Sequence, residues 1–156
     1  MIGAGGETRP DSAVVTFGFA AQLANIDRAC REVERFLVQQ GVGGDHFEIF
    51  LVLRELLNNA VIHGSGCDPN KRVQLHAQLA QEELTVEIED QGPGFDWHNA
   101  RSGAEALSNA CSGRGLHIAA GYTDFFEYNP AGNRARFTKR VQKTPEKYAE
   151  GHSEQG

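Results

Sequence analysis

Apolar positions along the chain recur with two different periods, and the changes of period divide it into elements. Residues 14–19 alternate around β-branched and aromatic side chains, which predicts a strand. Over 23–40 the spacing becomes helical, with Leu23, Ile26, Ala29, Val33, Phe36 and Leu37 on one face and Gly41 as the stop. A second helix follows from an N-cap at Asp45 to Gly64, carrying Phe47, Phe50, Leu51, Leu53, Leu56, Leu57, Ala60 and Val61. After a loop over 65–70, strict alternation returns. Val73, Leu75, Ala77 and Leu79 mark a strand over 72–79, and Leu84, Val86 and Ile88 mark another over 84–89. Gln81-Glu82-Glu83 joins them, so an antiparallel hairpin is expected.

From Gln91 to Ser112 the pattern dissolves into Gly, Ser, Asn and Ala, with a short helix expected over 104–109. A stretch of that length inside a domain points to function, often a lid. A third helix is predicted over 115–121. A last hairpin is predicted from strands at 124–128 and 134–141 around the turn Asn129-Pro130-Ala131-Gly132. Strands that come in pairs with helices between them predict an α+β two-layer sandwich rather than a βαβ parallel sheet.

Three segments carry polar groups that such a core does not need. Glu55 and Asn59 stand four residues apart in the second helix, so they share one stripe with His63 a turn further on. Polar groups beside a core require partners, and a water, a metal ion or a phosphate would serve. An ordinary amphipathic helix with both residues at its solvent edge explains that segment equally well. Asp90-Gln91-Gly92-Pro93-Gly94-Phe95 ends the first hairpin. Its carboxylate is a pure acceptor suited to an exocyclic amine, and its glycines let a ligand approach the backbone; a plain turn has the same composition. Ser112-Gly113-Arg114-Gly115-Leu116 opens the third helix, where free N–H groups and the helix dipole receive phosphate, with Arg114 as an added charge.

Composition narrows the setting. The chain has 156 residues, 40% hydrophobic and 23% charged, which fits one ordinary globular domain. A formal net charge of −6 argues against a direct nucleic-acid partner, and no apolar run is long enough to span a membrane. Cys30, Cys67 and Cys111 follow no zinc or redox spacing, and His63 near Cys67 lacks further ligands, so a reducing, cytoplasmic location is expected. Residues 1–12 and 143–156 are polar or Gly-rich tails, leaving 13–142 as the domain.

Taken together and in this order, the Glu-x-x-x-Asn helix, the Asp-x-Gly-x-Gly strand end, the lid and the Ser-Gly-x-Gly helix start resemble the ATP-binding domain of the GHKL superfamily. Gyrase, histidine kinases, MutL proteins and a heat-shock chaperone family share that domain. Asn59-Ala60-Val61-Ile62-His63-Gly64 and Asp90-Gln91-Gly92-Pro93-Gly94-Phe95 are most similar to its anti-sigma-factor serine-protein-kinase branch, the RsbW and SpoIIAB type. The resemblance implies the Bergerat-type two-layer sandwich, with a mixed, mostly antiparallel sheet and helices on one face. It implies that Glu55 is the general base, that Asn59 is the magnesium ligand, and that Asp90 accepts the adenine amine beside Gly92 and Gly94. It further implies that Ser112, Gly113, Arg114, Gly115 and Leu116 wrap the phosphates of ATP. Two positions depart from the pattern: Cys111 stands where a basic residue is frequent, and Asn133-Arg134 where a threonine often follows the glycine. Both bear on nucleotide affinity and phosphoryl-transfer rate.

The resemblance also implies a function: a serine kinase of a small anti-sigma-factor antagonist that sequesters a sigma factor, as a homodimer. Two alternatives stand beside it, an ATP-dependent binding module without kinase activity and a detached histidine-kinase catalytic domain acting in trans. Glu55 favours a kinase over a binder, since a binder needs no base.

Overall fold

The hairpin of 72–90 shows how one face of the sheet is chosen. In the computed structural model, which describes residues 12–94 and 115–143, β2 (Arg72–Ala80) and β3 (Glu83–Asp90) pair antiparallel. Val73 lies opposite Asp90, Leu75 opposite Ile88, Ala77 opposite Val86 and Leu79 opposite Leu84, and all eight are buried. The other parity, Gln74 with Glu89 and His76 with Glu87, faces outward. A period of two thus sorts the hairpin into an apolar and a polar side.

The remaining strands extend this sorting. β1 (Ser12–Ala20) joins the outer edge of β2, while β5 (Arg134–Arg140) pairs with β3 and carries β4 (Phe125–Tyr128) on its far side. The order is β1-β2-β3-β5-β4, and every pairing among the described strands is antiparallel. Phe126, Tyr128, Ala135 and Phe137 continue the buried face, and Arg134, Arg136 and Glu127 the exposed one. The expected α+β sandwich is observed. The parallel pairing that a mixed sheet would contain is not found among the described residues.

The described helices lie on the apolar face. α1 (Ala24–Gln39) buries Ile26, Ala29, Cys30, Val33, Phe36 and Leu37, then stops at Gly41, whose φ of 76° only glycine adopts freely. The Gly41 N–H donates to Val38 O and that of Val42 to Leu37 O, which satisfies the last carbonyls. α2 (Phe47–Asn58) starts where Asp45 Oδ1 accepts the Phe47 N–H at 2.9 Å, so Asp45 caps from one position further out than expected. α3 (Gly115–Tyr122) packs on α2 and on β4.

The second helix differs from its predicted course. It is α-helical only to Asn58 and continues over Asn59–Gly64 as a π-helix. The Ser65 N–H reaches back five residues to Ala60 O at 2.9 Å. Turns of this kind concentrate at functional sites. Expectations for residues 95–114, which include the lid, the helix at 104–109 and Cys111, lie outside the described residues.

Candidate functional site

Strand parity explains the most unusual group in the protein. Asp90 shares the parity of Leu84, Val86 and Ile88, so β3 directs its carboxylate toward the helix layer, where the residue is 7% exposed. Burial pushes its pKa above the ordinary carboxylate range. The Gly92 N–H, donated to Oδ1 at 2.7 Å, opposes this; neighbouring Glu89 raises the pKa further and Lys71 lowers it. No ion pair forms at Asp90 among the described residues.

Asn59 sits on the facing element. The π-helical turn closes on the fifth residue rather than the fourth, so the stripe expected from Glu55 through Asn59 to His63 breaks after Asn59. Glu55 is half-buried on α2, Asn59 is 3% exposed, and His63 points to solvent. Neither the Oδ1 nor the Nδ2 of Asn59 meets full hydrogen-bond geometry among the described residues, although the Tyr128 hydroxyl lies close enough to interact with the carboxamide, and the Oγ of buried Ser65 is likewise unpaired. Buried amides are almost always satisfied, so an orphan here marks a place for a missing partner. Tyr128 reaches the same spot from β4. Burial pushes its phenol up to about 12, the Asn59 carboxamide beside it pulls back, and the Asp90 carboxylate adds to the rise.

Glycines bring these elements into contact. A Cβ on Gly64, the last residue of the π turn, would overlap all three carboxyl atoms of Asp90. A Cβ on Gly92 would strike Gly64 O, and one on Gly94, at φ 89°, would strike Ala131 O. The close approach at Gly92 and Gly94, expected for a ligand, is thus made by the protein's own backbone. The Asp90–Gly94 turn is held between the π turn and the β4–β5 connection.

The structure therefore gathers Asn59, Asp90, Gly92 and Gly94 at one end of the sheet, with Glu55 one turn before Asn59. Of Gly115 and Leu116 the backbone opens α3. Ser112, Gly113 and Arg114 lie outside the described residues. Sequence reasoning missed Tyr128 and Asn129; it named Asn133 only as a departure from the family pattern and Gly64 only as the end of the second helix and of the Asn59–Gly64 motif. Tyr128 had a usable signal, since it shares the parity of Phe126 and must face the core. Nothing local shows that Gly64 must lack a Cβ.

The donor set fits a magnesium nucleotide. Magnesium takes one or two oxygens from protein and the rest from phosphate and water, and Asn59 Oδ1 is a buried oxygen outside full hydrogen-bond geometry. Among the described residues no group of three or more His, Cys, Asp or Glu side chains gathers into an all-protein metal cage.

Residues 19–139 match the family of histidine kinase-like ATPase domains. The chain is similar to an anti-sigma F factor of Shouchella clausii, 43% identical over 82 residues, which cover 52% of this chain and 56% of that protein. It is similar to an anti-sigma F factor of Oceanobacillus iheyensis, 28% identical over 141 residues, 86% of this chain and 97% of that protein. An anti-sigma F factor of Clostridium perfringens is 29% identical over 101 residues, covering 62% and 69%. Among solved structures, the Acinetobacter baumannii histidine kinase AdeS superposes with a TM-score of 0.45 at 17% identity, over 85% of this chain and 70% of that one.

Proposed function

The chain belongs to the histidine kinase-like ATPase domain family, and from that membership we propose that it is an ATP-binding anti-sigma factor and serine protein kinase. Its substrate would be a small anti-sigma-factor antagonist, and its second partner a sigma factor. The names of the relatives, all anti-sigma F factors, support the regulatory role. The observation that carries the reading is the pairing of a buried carboxylate with a buried, unsatisfied carboxamide on facing elements.

Each residue then has a task. Asp90 accepts the exocyclic amine of adenine, an interaction that favours its ionised form against the effect of burial. Asn59 would hold magnesium through Oδ1. When bound, that ion neutralises charge on the transferring phosphoryl group. Glu55 takes the proton from the substrate serine hydroxyl; the serine oxygen bonds to the γ-phosphorus as the bond to the β-phosphate oxygen breaks, and ADP leaves. Positioning and electrostatics dominate such transfers, so the base contributes a modest share. Ser112, Gly113, Arg114, Gly115 and Leu116 would enclose the phosphates. No helix among the described residues is long and apolar enough to cross a membrane, and the proposed setting is the cytoplasm, as a homodimer.

The test uses purified protein with labelled ATP, magnesium and candidate antagonist proteins. Phosphoserine should appear on an antagonist. Glu55→Ala should lower transfer by about 10²–10⁴ while ATP still binds, the usual share of a positioned base. Transfer at the wild-type rate in Glu55→Ala removes Glu55 from the mechanism. ATP binding without transfer to any antagonist favours the binding module instead.

A further inference from the structure

The β4–β5 connection contains a chain of hydrogen bonds whose direction is fixed. Asn129 Oδ1 accepts three backbone N–H groups, from Gly132 at 2.9 Å, Asn133 at 3.0 Å and Arg134 at 3.1 Å. Backbone N–H groups only donate, so the oxygen of Asn129 must face them and its amide nitrogen must face away. That nitrogen donates to Asn133 Oδ1 at 2.8 Å. The Asn133 amide is thereby oriented in turn, and its Nδ2 donates to Gly92 O at 3.4 Å.

Asn133 meets the Asp90 turn twice. Its backbone carbonyl accepts the Asp90 N–H at 3.0 Å, and its side chain holds the carbonyl of Gly92, whose own N–H donates to Asp90 Oδ1 at 2.7 Å. Both ends of the short ring that aims the Asp90 carboxylate are therefore tied to one residue. Neither Asn129 nor Asn133 is fully buried, and neither contributes to the apolar core. The network lies outside the core: it closes the β4–β5 turn and ties that turn to the Asp90–Gly92 segment.

We propose that Asn133, oriented by Asn129, is a positioning residue for base recognition, holding the Asp90–Gly92 turn so that Asp90 selects a nucleobase with an exocyclic amine. This rests on the nucleotide-binding reading above and adds the residue pair that sets its base selectivity. The hypoxanthine base of ITP presents a carbonyl oxygen where adenine presents an amine. A well-aimed carboxylate rejects that oxygen, and a loosely held one tolerates it.

Calorimetric titration of the full chain with ATP, ITP and ADP tests the proposal in wild type, Asn133→Ala and Asn129→Asp. Wild type should prefer ATP to ITP. Asn133→Ala should weaken ATP by about tenfold, the order expected for one lost hydrogen bond, with ITP changed much less, so the ATP-to-ITP preference shrinks by a similar factor. The ATP-to-ADP ratio should stay as in wild type, because the phosphate end is untouched. Asn129→Asp keeps the oxygen that receives three N–H groups, but puts a charged acceptor in place of the donor that orients Asn133, so the Asn133 amide must turn and release Gly92 O. It should reproduce the loss of base preference even if Asn133→Ala fails to fold. A wild-type preference retained within about twofold in a folded variant overturns the proposal alone. Wild-type protein that binds neither triphosphate, or both equally, overturns it together with the reading of Asp90.

Discussion

Gly64→Ala adds a single methyl group at the point where the π turn touches the Asp90 carboxyl group. The added Cβ would overlap Cγ and both oxygens of Asp90, so the whole carboxyl group must move. Two anchors resist that movement, the Gly92 N–H on Oδ1 at 2.7 Å and Asn133 O on the Asp90 N–H at 3.0 Å. The π turn cannot back away freely either, because Gly64 O already lies against Gly92. Overpacking of this kind costs about 1–3 kcal/mol. Replacing a helical glycine by alanine returns roughly 0.5–1 kcal/mol through chain entropy. The net loss should be up to about 2.5 kcal/mol, centred on about 1 kcal/mol, which lowers the melting temperature by roughly 2–4 °C at the centre of that range for a chain of this size. Urea titrations should show a lower midpoint with an unchanged slope. The same substitution in an Asp90→Ala background meets no carboxyl group and should become neutral or slightly stabilising. A penalty of equal size in both backgrounds would refute the contact as the cause, since coupled neighbours are expected to depart from additivity by about 0.5–3 kcal/mol.

Further expectations concern the same site and one control. Because burial raises the Asp90 pKa, the folded state holds that proton more tightly than the unfolded chain. Its stabilising contribution is complete below the ordinary value of about 4 and is lost as pH rises through the raised folded value. Ligand-free Asp90→Asn should therefore gain on wild type as pH rises from about 4 to 7, and a difference that stays flat across urea midpoints in that range would contradict the burial argument. Asn59→Leu replaces an unsatisfied buried amide by a side chain of similar size. It should stabilise the ligand-free protein by about 1–3 kcal/mol while abolishing magnesium-dependent ATP binding, and a loss of stability would show that the amide has a partner within the fold. Gly121→Ala, where an added Cβ finds nothing within 4 Å, should raise stability by roughly 0.5–1 kcal/mol and leave nucleotide binding unchanged, as thermal melts and calorimetry would show.

Local patterning carried most of the fold. Alternation at Val73, Leu75, Ala77 and Leu79 and again at Leu84, Val86 and Ile88 placed two strands within a residue or so of their observed ends, and Gly41 marked the stop of α1. The departures have a common origin in contacts between distant segments. Ala60 and Val61 suit an α-helix and a π-helix alike, so their periodicity could not reveal a turn that wraps around the Asp90 carboxyl group. The stripe from Glu55 to His63 failed for that reason, because its spacing assumed an unbroken winding. The Asn129-Pro130-Ala131-Gly132 turn was readable as a turn from its residues. Its role was not readable, because that depends on β5 lying beside β3, a pairing that no local signal encodes. Asp90 was the site residue most fully legible, since strand parity alone directs it inward.

Features that cost stability in this chain concentrate at the end of β3. Asn59 is buried with neither amide atom in full hydrogen-bond geometry, burial disfavours the ionised form of Asp90, and the helix carrying Asn59 changes winding at that residue. Gly64 and Gly92 have ordinary backbone angles, so neither is required by a left-handed turn, yet neither tolerates a Cβ. Away from this end, buried residues among those described are almost entirely apolar, β2 and β3 alternate cleanly and the α1 stop obeys the usual chemistry. Where the described fold follows local rules those rules specify it, and a cluster of exceptions at the end of β3 calls for a separate cause. Packing is not that cause, because an apolar residue at Asn59 would pack better. Stability is not, because a neutral residue at Asp90 would cost less to bury. A ligand that supplies a donor to Asp90 and a partner to Asn59 removes both penalties when it binds, and the free energy released then contributes to its own affinity. The same coupling explains why the Asn129 and Asn133 amides lie outside the core yet are fixed in orientation: a carboxylate held at such cost is useful only if it points one way.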